Sequence, residues 1–549
     1  MEEDTRARWV GRTTLAAAIV VLDVSLTFRN VWPTPVIKWS GELSVELAVC
    51  VLALVLASRC FGPPSRAALA WLSAGWTLLV IGRYADVTAP ALYGREVNLF
   101  WDLRNVSAVA AMFARAAPVW LVLLTVASAA LLVFLLYRMS RWALGTVGGA
   151  IATPRERRML GQLAAVAVAL FVGQGLSERV PRLPGFAAPV VQTYAHQVRL
   201  VRDALAGDSR SIGSGPPMDA DLALVKGADV FLFFVESYGA VSFERPEFAQ
   251  GLAAARAEFG ASITATNRRV VSAYVESPTF GGNSWLAHIS LLSGIEVRDR
   301  DKNALLMTQK RDTLATTFAR QGYRTLALMP GTWQSWPEGV FYGFDDIYGG
   351  QRLAYRGPQF GWWDIPDQFA LAQIDALEVS TRSRPPLFVF FPTVSTHIPF
   401  TPTPPYQPDW PRMLTDQPYD LAVLERVYEQ QPDWLDLGPS YVGAISYIYA
   451  ALGGYFRQRA DRDFVAIVIG DHQPPAVVSG EGAPWDVPVH VITSRQELID
   501  RLEVRGFRTG LTPTRPSLGR MHALLPVLLD AFGAFGNRES TPIAAAPAR

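Results

Sequence analysis

The chain has 549 residues, half of them hydrophobic and only 18% charged, with a net charge of +1. That length holds two or three domains at roughly 150 residues each, and the charge fraction lies well below the ~25% of an average soluble chain. The absence of a basic run argues against nucleic acid as a partner, and two cysteines only ten residues apart exclude a disulfide framework or a Cys-rich zinc site.

The charge depletion is concentrated at the N-terminal end. Residues 1–180 hold 17 Lys/Arg and 11 Asp/Glu, and 67–82, 116–137 and 159–177 hold none of the four. Apolar segments at about 13–31, 43–61, 67–85, 114–137 and 159–177 each approach the ~20 residues that span a bilayer as helix. A five-helix transmembrane domain is therefore expected over 1–180. Ten arginines, among them Arg138, Arg141, Arg155, Arg157 and Arg158, fall on one side of these spans and seven basic residues on the other. The positive-inside bias puts the first set in the cytoplasm and everything after 177 outside it. Asp23 within the first span is costly to bury, so it is expected to face another helix or an aqueous cavity.

Residues 181–219 form a junction. Val191, Tyr194, Val198, Val201 and Leu205 make an apolar stripe at helical spacing, which fits an amphipathic helix on a membrane surface or one packed into a core. The stretch 207–217 reads as a linker.

From about 220 to 537 short apolar runs alternate with helical stretches. The runs 229–235, 323–329, 387–394, 464–469 and 487–492 are continuous, as suits strands covered on both faces. A mostly parallel α/β sheet is expected, and the tail 538–549 is expected to be disordered. Ligands in such sheets collect at the carboxyl ends of strands. Glu236 follows the first run, His397 the third, and Asp471 with His472 the fourth. Carboxylates and an imidazole on one edge suit Zn²⁺ or Mn²⁺ with an open coordination position.

The segment 277–294, SPTFGGNSWLAHISLLSG, supplies a nucleophile. Gly281 and Gly282 permit close backbone approach, and Ser284 opens a helix that Gly294 closes. A hydroxyl at a helix N-terminus faces N–H groups that favour phosphate oxygens. Ser284 also suits a plain N-cap role, and Thr279 is the rival nucleophile. His288, one turn beyond Ser284, is expected to pack rather than face the site. Trp333, Trp336, Trp362 and Trp363, with Asp364 and Asp367, are expected in loops near the same edge, where they stack on a ligand or fill the core.

The order VES-YG, GGNSWLAHISLLSG, STHIPF, VIGDHQ resembles the alkaline phosphatase/sulfatase superfamily. With five spans ahead of it, the chain is similar to lipoteichoic acid synthases, lipid A phosphoethanolamine transferases and phosphoglycerol transferases of periplasmic glucans. The resemblance implies one divalent metal held by Glu236, Ser284, Asp471 and His472, with Ser284 and His397 catalytic. It also implies an inner-membrane enzyme with a periplasmic catalytic domain. Such an enzyme moves phosphoglycerol or phosphoethanolamine from a phospholipid donor, through phospho-Ser284, to a glycan or lipid hydroxyl. Serine stands where these transferases mostly carry threonine, and the disulfides of the lipid A type are missing. The stretch 329–331 (Met-Pro-Gly) lacks the second histidine of lipoteichoic acid synthases. No C/S-x-P-x-R sulfatase signature is present, which demotes sulfate-ester hydrolysis. A phosphodiesterase using the same metal site, with water as acceptor, and a silent lipid- or glycan-binding protein are the alternatives.

Overall fold

A computed structural model describes residues 2–31, 34–93, 97, 119–176, 185–205, 212–333, 336, 338–361, 364–381 and 383–534. The chain divides into two compact units, 1–208 and 209–549. The expectations for Trp362, Trp363 and the tail 538–549 lie outside the described residues.

The first unit is helical: α1 (Glu2–Val24), α2 (Val45–Phe61), α3 (Arg66–Tyr93), α4 (Val119–Ala152), α5 (Pro154–Leu176) and α6 (Pro189–Leu205). Its core joins Leu15, Leu22, Val51, Val55, Leu144, Val147 and Leu160. Helices close up where side chains are smallest. A Cβ on Gly161 would meet Val55 at 3.2 Å, and one on Gly148 would meet Leu69 at 3.3 Å. Among the described residues α4 alone is long and apolar enough to cross a membrane. Its two halves differ: Leu123, Leu131 and Phe134 are exposed, whereas Ser140, Leu144, Val147 and Ile151 are buried at helical spacing. α2 has 17 residues, about 25 Å at 1.5 Å per residue, which falls short of a ~30 Å hydrocarbon core.

Asp23 is buried and accepts the Ser44 N–H at 2.7 Å, so it braces the N-cap of α2. Glu46, in the first turn of α2, accepts the N–H groups of Val190 and Val191 at the start of α6. α6 packs through Val190, Thr193 and Gln197, while Val191 and Val198 of the expected stripe are 59% and 65% exposed. Tyr194 is held by the glycine opposite it. Its hydroxyl donates to Leu78 O at 2.9 Å and occupies the space of a Cβ on Gly82.

The second unit is built on an eight-stranded sheet. Its strands are β1 (Asp229–Val235), β2 (Arg269–Glu276), β3 (Arg324–Met329), β4 (Asp346–Gly349), β5 (Leu387–Pro392), β6 (Phe464–Gly470), β7 (Asp486–Thr493) and β8 (Arg508–Thr509). The order is β8-β2-β7-β6-β1-β5-β3-β4. The ladders from β6 to β4 are parallel, and those joining β6, β7, β2 and β8 are antiparallel. The sheet is thus mixed, with four parallel ladders and three antiparallel ones, where a mostly parallel sheet was expected. β2, β4 and β8 were not foreseen because polar residues interrupt β2 (Arg269, Ser272), β4 is four residues long and β8 two.

β1 is buried along its whole length. Val230, Leu232 and Phe234 enter one core, Phe231, Phe233 and Val235 the other. Period-two alternation with apolar residues on both faces is the mark of a strand covered by helices on each side. Register then sets the site. Val235 pairs with Gly470 on β6, and Phe234 with Pro392 on β5. The residues that leave these three strands therefore emerge side by side.

Candidate active site and metal centre

Glu236 is the first residue past β1 and Asp471 the first past β6, so register brings their carboxylates together. Ser237 adopts φ +58°, and its N–H donates to Asp471 Oδ1 at 2.9 Å. The His472 N–H donates to the same oxygen at 2.6 Å. Two glycines make the close approach of the two loops possible. A Cβ on Gly470 would lie 1.8 Å from Tyr238 O, and one on Gly239 would lie 1.7 Å from Gln473 Oε1.

The nucleophile candidate arrives on α7 (Ser284–Ser293), which ends at Gly294 with φ +66°, as its sequence predicts. Gly281, Gly282 and Asn283 precede it with φ of +63°, +144° and +61°. Three consecutive positive φ values turn the chain sharply enough to aim the first helical side chain back at the sheet edge. Ser284 is not the N-cap; Asn283 holds that position. The Ser284 hydroxyl donates to Glu236 Oε2 at 2.8 Å and lies 3.2 Å from His472 Nε2. Thr279 is committed elsewhere, since its hydroxyl donates to Gly282 O at 2.6 Å.

Four donors thus face one point. His472 Nε2 is 3.3 Å from Glu236 Oε1 and 3.7 Å from Asp471 Oδ2. Ligand atoms about 2.1 Å from a tetrahedral metal sit roughly 3.4 Å from one another, so the observed spacings of 2.8–3.7 Å match a cation's cage. Among the described residues, Glu236, Asp471 and His472 are the one group of acidic, His or Cys side chains close enough together to hold a metal ion. Electrostatics point the same way. Burial and the Glu236 charge push the Asp471 carboxyl well above its ordinary range. Burial also opposes ionisation of Glu236, but His472 and His397 outweigh it and hold this carboxyl low. Two carboxylates buried together cannot both ionise in the absence of a cation, and a divalent ion reverses that penalty.

The imidazole tautomer is fixed by the backbone. His472 Nδ1 meets Gln473 O at 2.7 Å, so Nδ1 carries a proton and Nε2 is the atom that faces Glu236 and Ser284. The same carbonyl accepts the Gly281 N–H at 3.1 Å, which ties the glycine turn to the His472 loop. His397 repeats the pattern, with Nδ1 2.7 Å from Ile398 O. It is half-buried, influences the charge of both Glu236 and His472, and walls a small cleft with Phe360, Ser395, Phe400 and Pro402.

Supporting residues fill in around these. Ser277 donates to Asp471 O at 2.5 Å, Thr396 to Glu236 O at 2.6 Å, and Tyr441 to Ser237 O at 3.1 Å. Sequence reasoning passed over Ser277, Gln473 and Thr396, although each adjoins a motif residue. Asp367 starts a helix rather than lying in a loop. Its buried carboxylate accepts the N–H groups of Val394 and Ser395, both at 2.8 Å, and so anchors the segment that carries His397. His288 packs between Phe234 and Phe390. Trp336, half-buried, stacks on Tyr342 at the edge of the core, and Trp333 lies over Gly350, 41% exposed.

No protein-family model and no curated protein matches the chain. Several solved structures are similar to it. An alkaline phosphatase superfamily protein from Vibrio parahaemolyticus is 17% identical with a TM-score of 0.37, over 61% of this chain and 75% of that one. The integral membrane lipooligosaccharide phosphoethanolamine transferase A of Neisseria meningitidis is 12% identical with a TM-score of 0.47, over 95% and 96%. A Streptococcus pyogenes phosphoglycerol transferase, solved with sn-glycerol-1-phosphate, is 12% identical with a TM-score of 0.34, over 64% and 87%.

Proposed function

We propose that this chain is a membrane-anchored, metal-dependent phosphotransferase that acts outside the cytoplasm. On this reading it moves a phospholipid headgroup, phosphoglycerol or phosphoethanolamine, to a glycan or lipid hydroxyl. The observation that carries the reading is the Ser284 hydroxyl, held 2.8 Å from Glu236 and 3.2 Å from His472 beside the buried Asp471. A single hydroxyl at the mouth of a three-ligand cage, on the first residue of a helix, suits attack on a phosphodiester.

Glu236, Asp471, His472 and the Ser284 oxygen would hold one divalent ion, Zn²⁺ or Mn²⁺. Such an ion supplies positive charge that lowers the hydroxyl's pKa and offsets charge on the phosphoryl oxygens. Ser284 Oγ, its proton released to solvent, attacks phosphorus, and the bond from phosphorus to the diacylglycerol oxygen breaks. His397, with Nδ1 tied to Ile398, binds a phosphate oxygen or protonates the departing alcohol through Nε2. The acceptor hydroxyl then attacks phospho-Ser284 and restores the serine. The helix α4 anchors the first unit in the membrane, and α1, α2, α3 and α5 complete a five-helix domain. The exposed Val191–Val198 face of α6 supports a seat for that helix at the membrane surface.

The test is incubation of the detergent-solubilised chain with phosphatidylglycerol or phosphatidylethanolamine, followed by intact-mass analysis and measurement of diacylglycerol. A headgroup-phosphate adduct on Ser284, absent from Ser284→Ala and from chelator-treated protein, is the expected result. Full diacylglycerol release by Ser284→Ala would overturn it. Release at the same rate with and without a hydroxyl acceptor would assign the site to hydrolysis.

A further inference from the structure

Beneath the metal cage lies a buried polar chain that none of the chemistry above uses. Tyr238 follows Glu236 and Ser237, and its side chain turns away from the cage into the core, where it is 1% exposed. Its hydroxyl lies 2.6 Å from that of Tyr449 and 3.0 Å from His490 Nε2. His490 Nδ1 lies 2.6 Å from the Ser272 hydroxyl, which donates to Gly510 O at 2.5 Å. His490 and Ser272 are both fully buried and face each other across the ladder joining β7 and β2.

The direction of every proton in this chain follows from its end. Gly510 O only accepts, so Ser272 spends its single proton there and must accept from His490 Nδ1. Nε2 is then a lone pair that accepts from Tyr238, and Tyr238 in turn accepts from Tyr449. Burial agrees, since it lowers the His490 imidazole to about 3 and keeps it neutral. β7 also holds the far side of the same turn, for the Ala240 N–H donates to Asp486 O at 3.0 Å.

We infer that His490 is a positioning residue, which fixes the Glu236 turn through the hydroxyl of Tyr238 and the Ser272–His490–Tyr238–Tyr449 chain. The inference rests on Glu236 being a metal ligand. Tyr238 has little freedom to rotate, because its carbonyl already fills the space beside Gly470. With its hydroxyl seated on Nε2, the φ +58° geometry of Ser237 and the direction of the Glu236 side chain are set together. An acceptor lost at Nε2 leaves a buried phenol proton without a partner, and the turn must shift to find one.

The experiment compares His490→Phe, His490→Gln and Tyr238→Phe with wild type in the detergent-solubilised full chain, measuring Zn²⁺ or Mn²⁺ affinity by chelator competition alongside kcat and KM. Groups that orient metal ligands commonly change metal affinity 10–100-fold. His490→Phe and Tyr238→Phe should each weaken metal binding about tenfold or more and lower kcat with little change in KM. His490→Gln, which keeps a donor and an acceptor, should recover most of the loss, and the double Phe variant should be no worse than either single one. Tyr238→Phe removes one oxygen and keeps the ring, so it decides the matter should His490→Phe not fold. Wild-type metal affinity in folded Tyr238→Phe, with Glu236→Gln losing the metal, would overturn this inference alone. A wild-type chain that binds no more metal than Glu236→Gln would overturn the metal-site reading and this inference with it.

Discussion

Gly470 and Tyr238 touch backbone to backbone: a Cβ on Gly470 would lie 1.8 Å from Tyr238 O and 3.1 Å from Val487 Cβ. That contact sets the Glu236 and Asp471 loops at the distance at which the Ser237 N–H reaches Asp471. Gly470→Ala forces the loops apart against a packed sheet, a strain costing about 1–3 kcal/mol. The expected outcome is a lower urea midpoint together with lost metal binding. Wild-type values for both would show that the loops do not depend on this contact.

The second prediction separates the two candidate nucleophiles. Thr279 spends its hydroxyl on Gly282 O, so Thr279→Val removes one buried hydrogen bond, worth about 1 kcal/mol, and should leave labelling of Ser284 in place. Ser284→Ala should leave the melting temperature near wild type and lower transfer by about a thousandfold or more, as removal of a nucleophile does. Mass spectrometry that finds the adduct on Thr279 would reverse the assignment.

Asp367 predicts a pH dependence. Burial pushes its carboxyl up to about 6 from an ordinary 3.8, against the pull of the Val394 and Ser395 N–H groups. The folded chain therefore holds this proton more tightly than the unfolded one. The stability it contributes is full below about pH 4 and is lost as pH rises through 6, by at most about 3 kcal/mol. Urea unfolding at pH 4, 5 and 6 should show that fall, and Asp367→Asn should flatten it. An equal slope in both proteins would place the titration on another group.

The exposed half of α4 gives the fourth prediction. Leu131 is 56% exposed on a 34-residue helix. An arginine at the centre of a membrane span costs about 2.5–3.5 kcal/mol on insertion scales. Leu131→Arg should lower the inserted fraction of α4 in a membrane-insertion assay, whereas Leu131→Ala should not. Unchanged insertion of α4 in the arginine variant would show that α4 does not cross the bilayer.

The sequence by itself determined the elements whose signal is local. The continuous apolar runs that became β1, β5 and β6 are readable because a strand covered on both faces has no polar positions to hide. The limits of α7 followed from Ser284 and Gly294, since a helix must start and stop where its backbone allows. The placement of Glu236, Asp471 and His472 just past strand ends was equally legible. Only the tertiary structure decided what depends on pairing between distant segments. The pairing of Val235 with Gly470 puts the two carboxylates at one level, and antiparallel β7, unforeseen in direction, delivers His490 under Tyr238. The face on which α6 packs was likewise settled by Glu46 and Gly82, more than a hundred residues away in the chain. Periodicity shows which residues are apolar, but register and the choice of neighbour come from long-range packing, which no local spacing encodes.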